Sequence, residues 1–400
     1  KIAIAQSQGL LRIVERIIET ADDATSFGLH NRTASSYNTG WMVADIKGAF
    51  MSDTDATNVT ADSELITNGT FSSNTSGWTA GNSTLSQGSG KMTITRSGGS
   101  GTTCYQDITT VVGQKYMLSA EINSSGSRGD LRVHSASAWG GSQILNLQGT
   151  NGQTIRVLGT FTATSTTSMI GFTIDNNSSS IVVDDVSMIA VKEEDRSVND
   201  KGLQVFGTIT KSPVASGAEL VAYSGFGGSN YLQQPINSDL QFGTGDWAFY
   251  GWYNDAGGSG ARTIFELGRS TVAGDHIGLR NDGNNLELFI SDDSFSSQDV
   301  AEFSSPAADG WQFACALRRS NKIELWNNGI LRAQKTIEDA AGDLGDSETY
   351  LRFGNRTYTS QPWDGSLALW RVSKSAPTAE QIKKMYYDEK CLFHENAQAT

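Results

Sequence analysis

Side chains that could perform acid–base or metal chemistry are scattered along this 400-residue sequence rather than grouped. Glu266, Glu287 and Glu324 each stand alone in an alternating apolar stretch, where an outward and solvated position is the simplest interpretation. The sequence contains four widely separated histidines, His30, His134, His276 and His394. It contains no zinc-protease helix motif, nucleophile elbow or phosphate-binding glycine loop. These observations predict a protein that is not an enzyme.

Exposed aromatic rings beside hydrogen-bonding groups indicate a different chemistry, the binding of sugars. Trp139 lies in a Gly- and Ser-rich stretch, residues 135–141, which has too few apolar neighbours to be core. Arg132 and His134 lie two residues apart just before it, so an extended chain places them on one face of a strand. We therefore expect Arg132, His134 and Trp139 to form a glycan-binding site.

A second candidate site lies in the polar loop 355–364. Arg356, Tyr358 and Trp363 are its candidate glycan-binding residues, because they combine aromatic rings with a hydrogen-bond donor. The alternative is that Trp363 closes the edge of a sandwich and that the polar residues are merely solvated. The sequence leaves both possibilities open.

The elements that must position these residues are predicted to be β-strands. Residues 247–253 are aromatic at nearly every position and apolar on both faces, which is typical of a central strand covered on both sides. Only 18% of the residues are charged and 43 are Gly, a composition that favours an all-β protein. One helix near the end is predicted from Thr378 and Gln381, which have the spacing of a capping box.

The strand series divides into two antiparallel β-sandwiches, separated by a charged linker at 192–197. The predicted units are a β-hairpin at 1–20, an extended connector at 21–63, a first sandwich at 64–192, a second at 197–388 and a helix at 378–395. A lone hairpin is barely stable in water, so we expect residues 1–20 to dock on chain outside the two sandwiches. That hairpin resembles the inner strands of a propeller blade. Because the chain opens without Met, it is expected to be a piece of a longer protein.

The first sandwich resembles the jelly-roll carbohydrate-binding modules of families 4, 9 and 22. The resemblance rests on Asn68-Gly-Thr-Phe71, Val112-Gly-Gln-Lys-Tyr116, Phe161-Thr-Ala-Thr-Ser165 and Ile181-Val-Val-Asp-Asp-Val186. It implies a structural Ca²⁺ held by Asp184 and Asp185, although Ser72 stands where those modules carry an acidic residue. The alternative is a solvated strand end with local hydrogen bonds. No other cofactor is predicted.

The second sandwich resembles the laminin G and concanavalin A-like lectin/glucanase fold. The resemblance rests on the spacing of aromatic and glycine positions, among them Trp252, Trp311, Asn327-Asn328-Gly329, Trp363-Asp-Gly365 and Trp370. Glucanases of that fold carry Glu-x-Asp-x-x-Glu on one strand, and this sequence has no such triplet. The resemblance therefore implies a binding domain rather than a hydrolase.

The bulk composition excludes some partners. A net charge of −13 makes nucleic acid an unlikely ligand, because phosphate binding needs clustered Lys and Arg. The absence of any run of 18 apolar residues predicts no membrane insertion. Three isolated cysteines, Cys104, Cys315 and Cys391, predict no disulfide framework and are compatible with folding in a reducing cytoplasm.

Two further segments, residues 35–55 and the terminal run 394–400, resemble parts of tail proteins from marine bacteriophages. This resemblance implies a virion protein of the phage tail, made in the host cytoplasm. Its expected partners are other tail proteins, further copies of itself in a homo-oligomer, and host surface polysaccharide, to which it would adhere. Two alternatives remain. One is a purely architectural virion protein, and the other is a secreted bacterial polysaccharide-binding protein or the non-catalytic modules of a glycan-degrading enzyme.

Overall fold

The computed structural model describes residues 45–97, 103–124, 128–174, 180–270, 275–291, 297–305, 310–338 and 348–398. These residues form an all-β structure of four antiparallel sheets with one short helix near the C-terminus. The predicted hairpin at 1–20 and the first part of the predicted connector lie outside the described residues. No helix among the described residues is long and apolar enough to cross a membrane.

The strands of the first half, in chain order, are β1 (Ile46–Phe50), β2 (Val59–Thr60), β3 (Thr79–Gly81), β4 (Ser83–Gly88), β5 (Lys91–Arg96), β6 (Thr103–Thr109), β7 (Lys115–Asn123), β8 (Gly129–His134), β9 (Gln143–Gln148), β10 (Thr154–Thr162), β11 (Thr167–Ile174) and β12 (Ser180–Ala190).

The strands of the second half are β13 (Gln204–Phe206), β14 (Thr208–Pro213), β15 (Val221–Ser224), β16 (Tyr231–Pro235), β17 (Trp247–Asp255), β18 (Arg262–Arg269), β19 (His276–Asp282), β20 (Asn285–Ser291), β21 (Gln298–Ser304), β22 (Gln312–Arg319), β23 (Lys322–Asn327), β24 (Ile330–Thr336), β25 (Thr349–Phe353) and β26 (Gly365–Ser373). The helix α1 (Ala379–Glu389) follows, with a 3₁₀ turn at Lys390–Phe393.

The smaller sandwich consists of two five-stranded sheets, in the orders β10-β7-β12-β5-β4 and β3-β6-β11-β8-β9. Alternate residues of each strand point between the sheets, and the core they form contains the aromatic side chains of Phe71, Trp78 and Phe172. The ring of Trp78 lies 5.8 Å from that of Phe71 and 5.7 Å from that of Phe172, measured between centroids. This core leaves the opposite face of each sheet free to carry polar side chains.

The larger sandwich pairs a seven-stranded sheet, β13-β16-β25-β18-β19-β20-β21, with a sheet of the order β2-β14-β15-β26-β17-β22-β23-β24. Strand β17 lies near the middle of the second sheet, and all its residues from 247 to 253 are buried. Trp247, Phe249 and Tyr253 enter the core between the sheets, whereas Ala248, Tyr250 and Trp252 pack beneath the C-terminal helix. The predicted central strand with cover on both faces is therefore confirmed.

Helix α1 begins where the sequence predicts it. Thr378 is the N-cap, its side chain accepts from the N–H of Gln381, and the Gln381 side chain returns to the N–H of Thr378. Ile382 and Met385 are buried beneath the helix, which covers the outer face of β17. The capping box and the buried apolar face are both confirmed.

The predicted connector, residues 21–63, is not merely extended chain in its described part. Strand β1 pairs with β26, and β2 pairs with β14, so this segment contributes two strands to the larger sandwich. Phe50 is 1% exposed and Met51 is fully buried in the core of that sandwich. The strand series of the larger sandwich thus begins before the smaller one and resumes after it.

The charged linker at 192–197 is also more than a solvated spacer. Glu193 and Asp195 are buried, and their carboxylates accept hydrogen bonds from the backbone N–H groups of Met51 at 2.6 Å and of Ala49 at 2.9 Å. Lys192 reaches back to Asp62 at 2.7 Å. The incoming and outgoing chains of the smaller sandwich are therefore tied together at one junction.

Candidate functional site

The strand that carries Arg132 and His134 has one apolar face and one polar face. Leu131 and Val133 are fully buried in the core of the smaller sandwich, so the alternate residues Arg132 and His134 point away from it. Both are partly exposed. The sequence prediction that these two side chains share one outer face is confirmed by this alternation.

The loop between β8 and β9, residues 135–142, brings Trp139 back over that face. Asp107, on β6, accepts a hydrogen bond from the N–H of Ala138 at 3.0 Å. Ser135 and Ser142 close the base of the loop through backbone and side-chain hydrogen bonds. Ala138 and Trp139 both have positive φ, 51° and 66°, a conformation that costs free energy in residues with side chains. The loop is therefore held in a definite, strained shape.

The Trp139 ring lies between two other rings. Its centroid is 5.3 Å from that of His134 and 6.3 Å from that of Tyr105, and both contacts are edge-to-face. Beneath it is Gly171 on the central strand β11, where an added Cβ would lie only 2.7 Å from Cζ2 of Trp139. The absence of a side chain at Gly171 therefore leaves room for the indole against the sheet. Part of the indole ring remains exposed.

We call this surface the Trp139 face and define it by Tyr105, Arg132, His134, Trp139 and Asn146. Several of its polar atoms have no hydrogen-bond partner in the protein: Nε of Arg132, Nε1 of Trp139 and Oδ1 of Asn146. Because polar groups shielded from water are usually hydrogen-bonded, such a cluster indicates a surface whose partners come from outside the chain.

His134 is poised to be neutral near pH 7. Burial lowers the pKa of its imidazole below the usual value of 6.5, and the positive charge of Arg132 acts in the same direction. The backbone of Gly140 opposes these effects without reversing them. A neutral imidazole offers one donor and one acceptor, which suits a hydroxyl-rich ligand.

A groove of about 500 Å³ borders the Trp139 face. Tyr105 and Asp107 line it on one side, and Thr67 and Thr79 are among its other lining residues. Its walls supply hydroxyl and carboxylate groups beside the apolar side chains of Leu65 and Ile108. The face and the groove together could accommodate more than one sugar ring.

The second set of predicted site residues is placed differently. Trp363 is 1% exposed and belongs to the core of the larger sandwich. The guanidinium of Arg262 lies 5.5 Å from its ring. The interpretation of Trp363 as a sugar-binding residue is therefore wrong, and the alternative, a ring that closes the sandwich, is correct. Apolar burial outweighed the polar character of the flanking loop.

Arg356 is likewise committed to an internal contact. It is 5% exposed, and its Nε lies 3.2 Å from the carboxylate of Glu266. The same carboxylate accepts hydrogen bonds from the N–H and the hydroxyl of Thr357, at 2.6 and 2.8 Å. Arg356 thus anchors its loop rather than facing solvent. Of the second set only Tyr358 keeps partial exposure, stacked on Arg356 at 4.4 Å.

Glu266 itself differs from its predicted solvated position, since it points outward but is fully buried. Burial raises the pKa of its carboxyl, but His276, at 3.3 Å, and Arg356 outweigh that effect and hold the pKa below the usual value. Glu324 is also buried, and it accepts from Nε1 of Trp326 at 2.9 Å. Both carboxylates serve the packing of the sheet.

The aspartates implied to bind Ca²⁺ are paired with cations instead. Arg156 donates to Asp185 at 2.8 Å, and Nζ of Lys91 lies 3.6 Å from Asp184. Glu121, the cross-strand neighbour of Asp184, is bound by the same lysine. Among the described residues no group of three or more acidic, His or Cys side chains is arranged to hold a metal ion. Asp184 and Asp185 therefore do not fit a calcium site.

Sequence reasoning missed Tyr105 and Asn146 on the Trp139 face and Gly171 beneath it. Tyr105 lies in a stretch whose alternation is visible in the sequence, so its outward direction could have been inferred. Its proximity to Trp139 could not, because it depends on the order β6-β11-β8, which local periodicity does not contain.

Residues 226–383 match a family profile described as the concanavalin A-like lectin/glucanases superfamily. A search of curated proteins finds no match to this chain. Among solved structures, the chain is similar to a family 40 carbohydrate-binding module of the Ruminococcus gnavus IT-sialidase bound to α2,3 sialyllactose, with 10% identity, a TM-score of 0.33, and coverage of 36% of this chain and 84% of that one.

Two further similar structures have comparable scores. Domain 4 of AbnA, an extracellular arabinanase from Geobacillus stearothermophilus in complex with arabinotriose, shows 15% identity, a TM-score of 0.35, and coverage of 45% of this chain and 82% of that one. The binding domain of botulinum neurotoxin serotype G shows 10% identity, a TM-score of 0.41, and coverage of 49% and 48%. On the profile match and the sheet topology, the larger sandwich has a concanavalin A-like fold.

Proposed function

We propose that this chain is a non-catalytic glycan-binding protein and that the Trp139 face is its binding site. The observation that carries the proposal is the partly exposed indole of Trp139, seated over Gly171 between Tyr105 and His134. Sugars present apolar C–H faces and hydroxyl edges, so they need a ring to stack on and polar atoms around it. The imidazole of His134 and the unpartnered Nε of Arg132 supply the second requirement.

The same observations argue against catalysis as the role of these sandwiches. Glycoside hydrolysis needs two carboxyl groups facing one bond across about 5–10 Å. Glu266, Glu287 and Glu324 are each bound to a neighbouring donor, namely Arg356, Arg280 and Trp326. A carboxylate held in this way is poorly placed to exchange a proton with a sugar.

The setting we propose is the tail of a bacteriophage, with host surface polysaccharide as the ligand. It is supported by the resemblance of residues 35–55 and 394–400 to marine phage tail proteins. A single lectin-like site binds weakly, but several copies on a homo-oligomeric tail would raise the avidity by about 10²–10⁴ without new contacts. The mechanism would be reversible adhesion.

A purely architectural role is the second candidate. It is favoured by the internal use of Arg356 and Trp363, which leaves the larger sandwich with few side chains for a ligand. In that case the concanavalin A-like domain would act as a spacer or as an assembly surface toward other tail proteins.

Replacing Trp139 tests the proposal. Trp139→Ala should weaken glycan binding by about 1–3 kcal/mol, the contribution of burying one large side chain, and should leave the fold intact because the ring lies outside the core. Calorimetric titration of both proteins with fragments of host capsule and lipopolysaccharide would measure the difference, with and without a chelator. Tyr387→Ala is the matched control, since Tyr387 is 45% exposed on helix α1 in the other sandwich.

Each result has a definite meaning. Unchanged binding by Trp139→Ala would remove the site from this face. Loss of wild-type binding in the chelator would show that a metal ion participates, contrary to the cation pairing of Asp184 and Asp185. Absence of wild-type binding to all the fragments would favour the architectural role.

A further inference from the structure

The charges on the Trp139 face are unevenly distributed. Two guanidinium groups share one carboxylate: Asp130 is 2.9 Å from Arg128 and 3.0 Å from Arg132. The carboxylate is almost fully buried, whereas the side chains of Arg128 and Arg132 are 43% and 31% exposed. One positive charge is therefore left in excess at this place, in a chain whose net charge is −13.

Arg132 lies next to the ring. It is the direct cross-strand partner of Gly171, the residue beneath Trp139, and on its other side it is opposite Asn146. Side chains of directly opposed residues are about 5 Å apart at Cβ. Since Nε of Arg132 and Oδ1 of Asn146 have no protein partner, both are available to a ligand that displaces the side chains slightly.

Apart from Asp130, which the two arginines share, the next carboxylate on the same sheet is on a different strand. Asp107 belongs to β6, which is separated from β8 by β11, so it lies about 10 Å from Arg132 across the sheet. Its Oδ1 accepts the N–H of Ala138, which fixes it beneath the loop. The β8 side of the Trp139 ring is therefore the positive side.

We propose that the Trp139 face selects acidic sugars, whose carboxylate or sulfate group binds Arg132 while the sugar ring stacks on Trp139. This inference rests on the proposed glycan-binding function and specifies its ligand class. Arginine presents a planar fork of donors that matches carboxylate and sulfate oxygens, and such charge-assisted hydrogen bonds are among the stronger ones. Burial of Asp130 beneath the two arginines holds Arg132 in place for this contact.

The test uses pairs of ligands that differ only in charge. Oligosaccharides from polygalacturonate and from hyaluronan are compared with the same oligosaccharides after their carboxyl groups have been reduced to alcohols, and a sulfated galactan is compared with its desulfated form. The full chain should bind at least one charged member about tenfold more tightly than its neutral counterpart. The galacturonate and galactan arms then separate carboxylate from sulfate recognition.

Arg132→Gln should abolish this preference, so that the charged and neutral members of each pair bind with equal affinity, whatever the variant does to glycan binding as a whole. The fold should be kept, because Asp130 retains Arg128 as its partner. Arg332→Gln, an exposed arginine on β24 of the other sandwich, should behave like the wild type. The preference of the wild type should also shrink as the salt concentration rises from about 0.05 M to about 0.5 M, which tests the charge effect without any variant.

The failures of the two proposals are distinguishable. Equal binding of charged and neutral members by the wild type would overturn the acidic-sugar inference and leave glycan binding intact. A preference that survives in Arg132→Gln would also overturn it. Absence of binding to every oligosaccharide, and to the capsule and lipopolysaccharide fragments, would overturn the proposed function itself.

Discussion

Gly171 is the residue on which the candidate site depends most directly. Its missing side chain leaves room for the indole, and an added Cβ would lie 2.7 Å from Trp139 and 2.9 Å from the carbonyl oxygen of Cys104. Real Cβ atoms do not approach other atoms so closely, so both the ring and the neighbouring backbone of β6 must shift. A single methyl group should therefore disturb the site without touching a ligand.

We expect Gly171→Ala to weaken glycan binding by roughly as much as Trp139→Ala, about 1–3 kcal/mol, because both remove the ring from its place. Titration with the same oligosaccharides measures the loss, and tryptophan fluorescence reports the displaced ring. Gly88→Ala serves as the control, since a Cβ there meets nothing within 4 Å. Wild-type affinity in Gly171→Ala would contradict this placement of the ring.

Single residues also mark the limits of sequence reasoning. The direction of Arg132 and His134 followed from alternation, which is a local property of a strand. The fate of Trp363 did not, because a tryptophan in a polar loop is equally compatible with a sugar platform and with a core that the loop folds over. Only the position of Arg262 and of the β17 core beside it decides between them.

Among the elements, the segment 192–197 between the two sandwiches differs most from its prediction as a charged linker. Glu193 is buried there, and burial raises the pKa of its carboxyl to about 7, although hydrogen bonds from the N–H of Met51 and from a tyrosine hydroxyl oppose the shift. The folded state therefore holds this proton more tightly than the unfolded chain does. The contribution of Glu193 to folding stability should be fully present below the unfolded pKa of about 4.5 and should be lost as the pH rises through about 7.

Glu193→Gln should remove this dependence. The variant and the wild type are expected to be similarly stable near pH 4.5, and the variant should be more stable by up to about 3 kcal/mol above pH 7, since a neutral amide can still accept from Met51. Urea unfolding at several pH values measures the difference. Glu194→Gln, whose side chain is 61% exposed, is the neighbouring control. A constant difference across the pH range would show that Glu193 is charged in the folded protein.

Elements whose residue pattern is contained in a short stretch of sequence were predicted correctly. Strand β17 and the capped helix α1 each carry their signal within about ten residues. Strands β1 and β2 carry little signal, and their partners β26 and β14 lie far along the chain. Pairing at such a separation depends on the assembled sandwich, so a connector was the natural interpretation of those residues.

For the molecule as a whole, the smaller sandwich is an insertion within the larger one. We expect a chain of residues 64–400, which lacks β1 and β2, to be less stable than residues 45–400 by at least about 3 kcal/mol, because Phe50 and Met51 lose their burial. An extended connector at residues 21–63, as the sequence predicted, would have caused no such loss.

Thermal and urea unfolding of the two chains would measure the loss. The transition assigned to the larger sandwich should shift, while that of the smaller sandwich should remain, since its ten strands are all retained. The Phe50→Ala variant of the longer chain is the matched comparison, and it should reproduce most of the effect. Equal stability of the two chains would contradict the assigned role of β1.

The pairing of β1 with β26 has a consequence for synthesis. The ribosome makes residues 46–50 roughly 320 residues before their partner, so at 5–20 residues per second β1 waits about 15–65 s. The inserted sandwich can fold during that interval, but the early strand, with its apolar Phe50, stays unpaired. Unpaired apolar strands are sites of aggregation. The yield of this protein in a cell should therefore depend on chaperones that shield the nascent chain until translation ends.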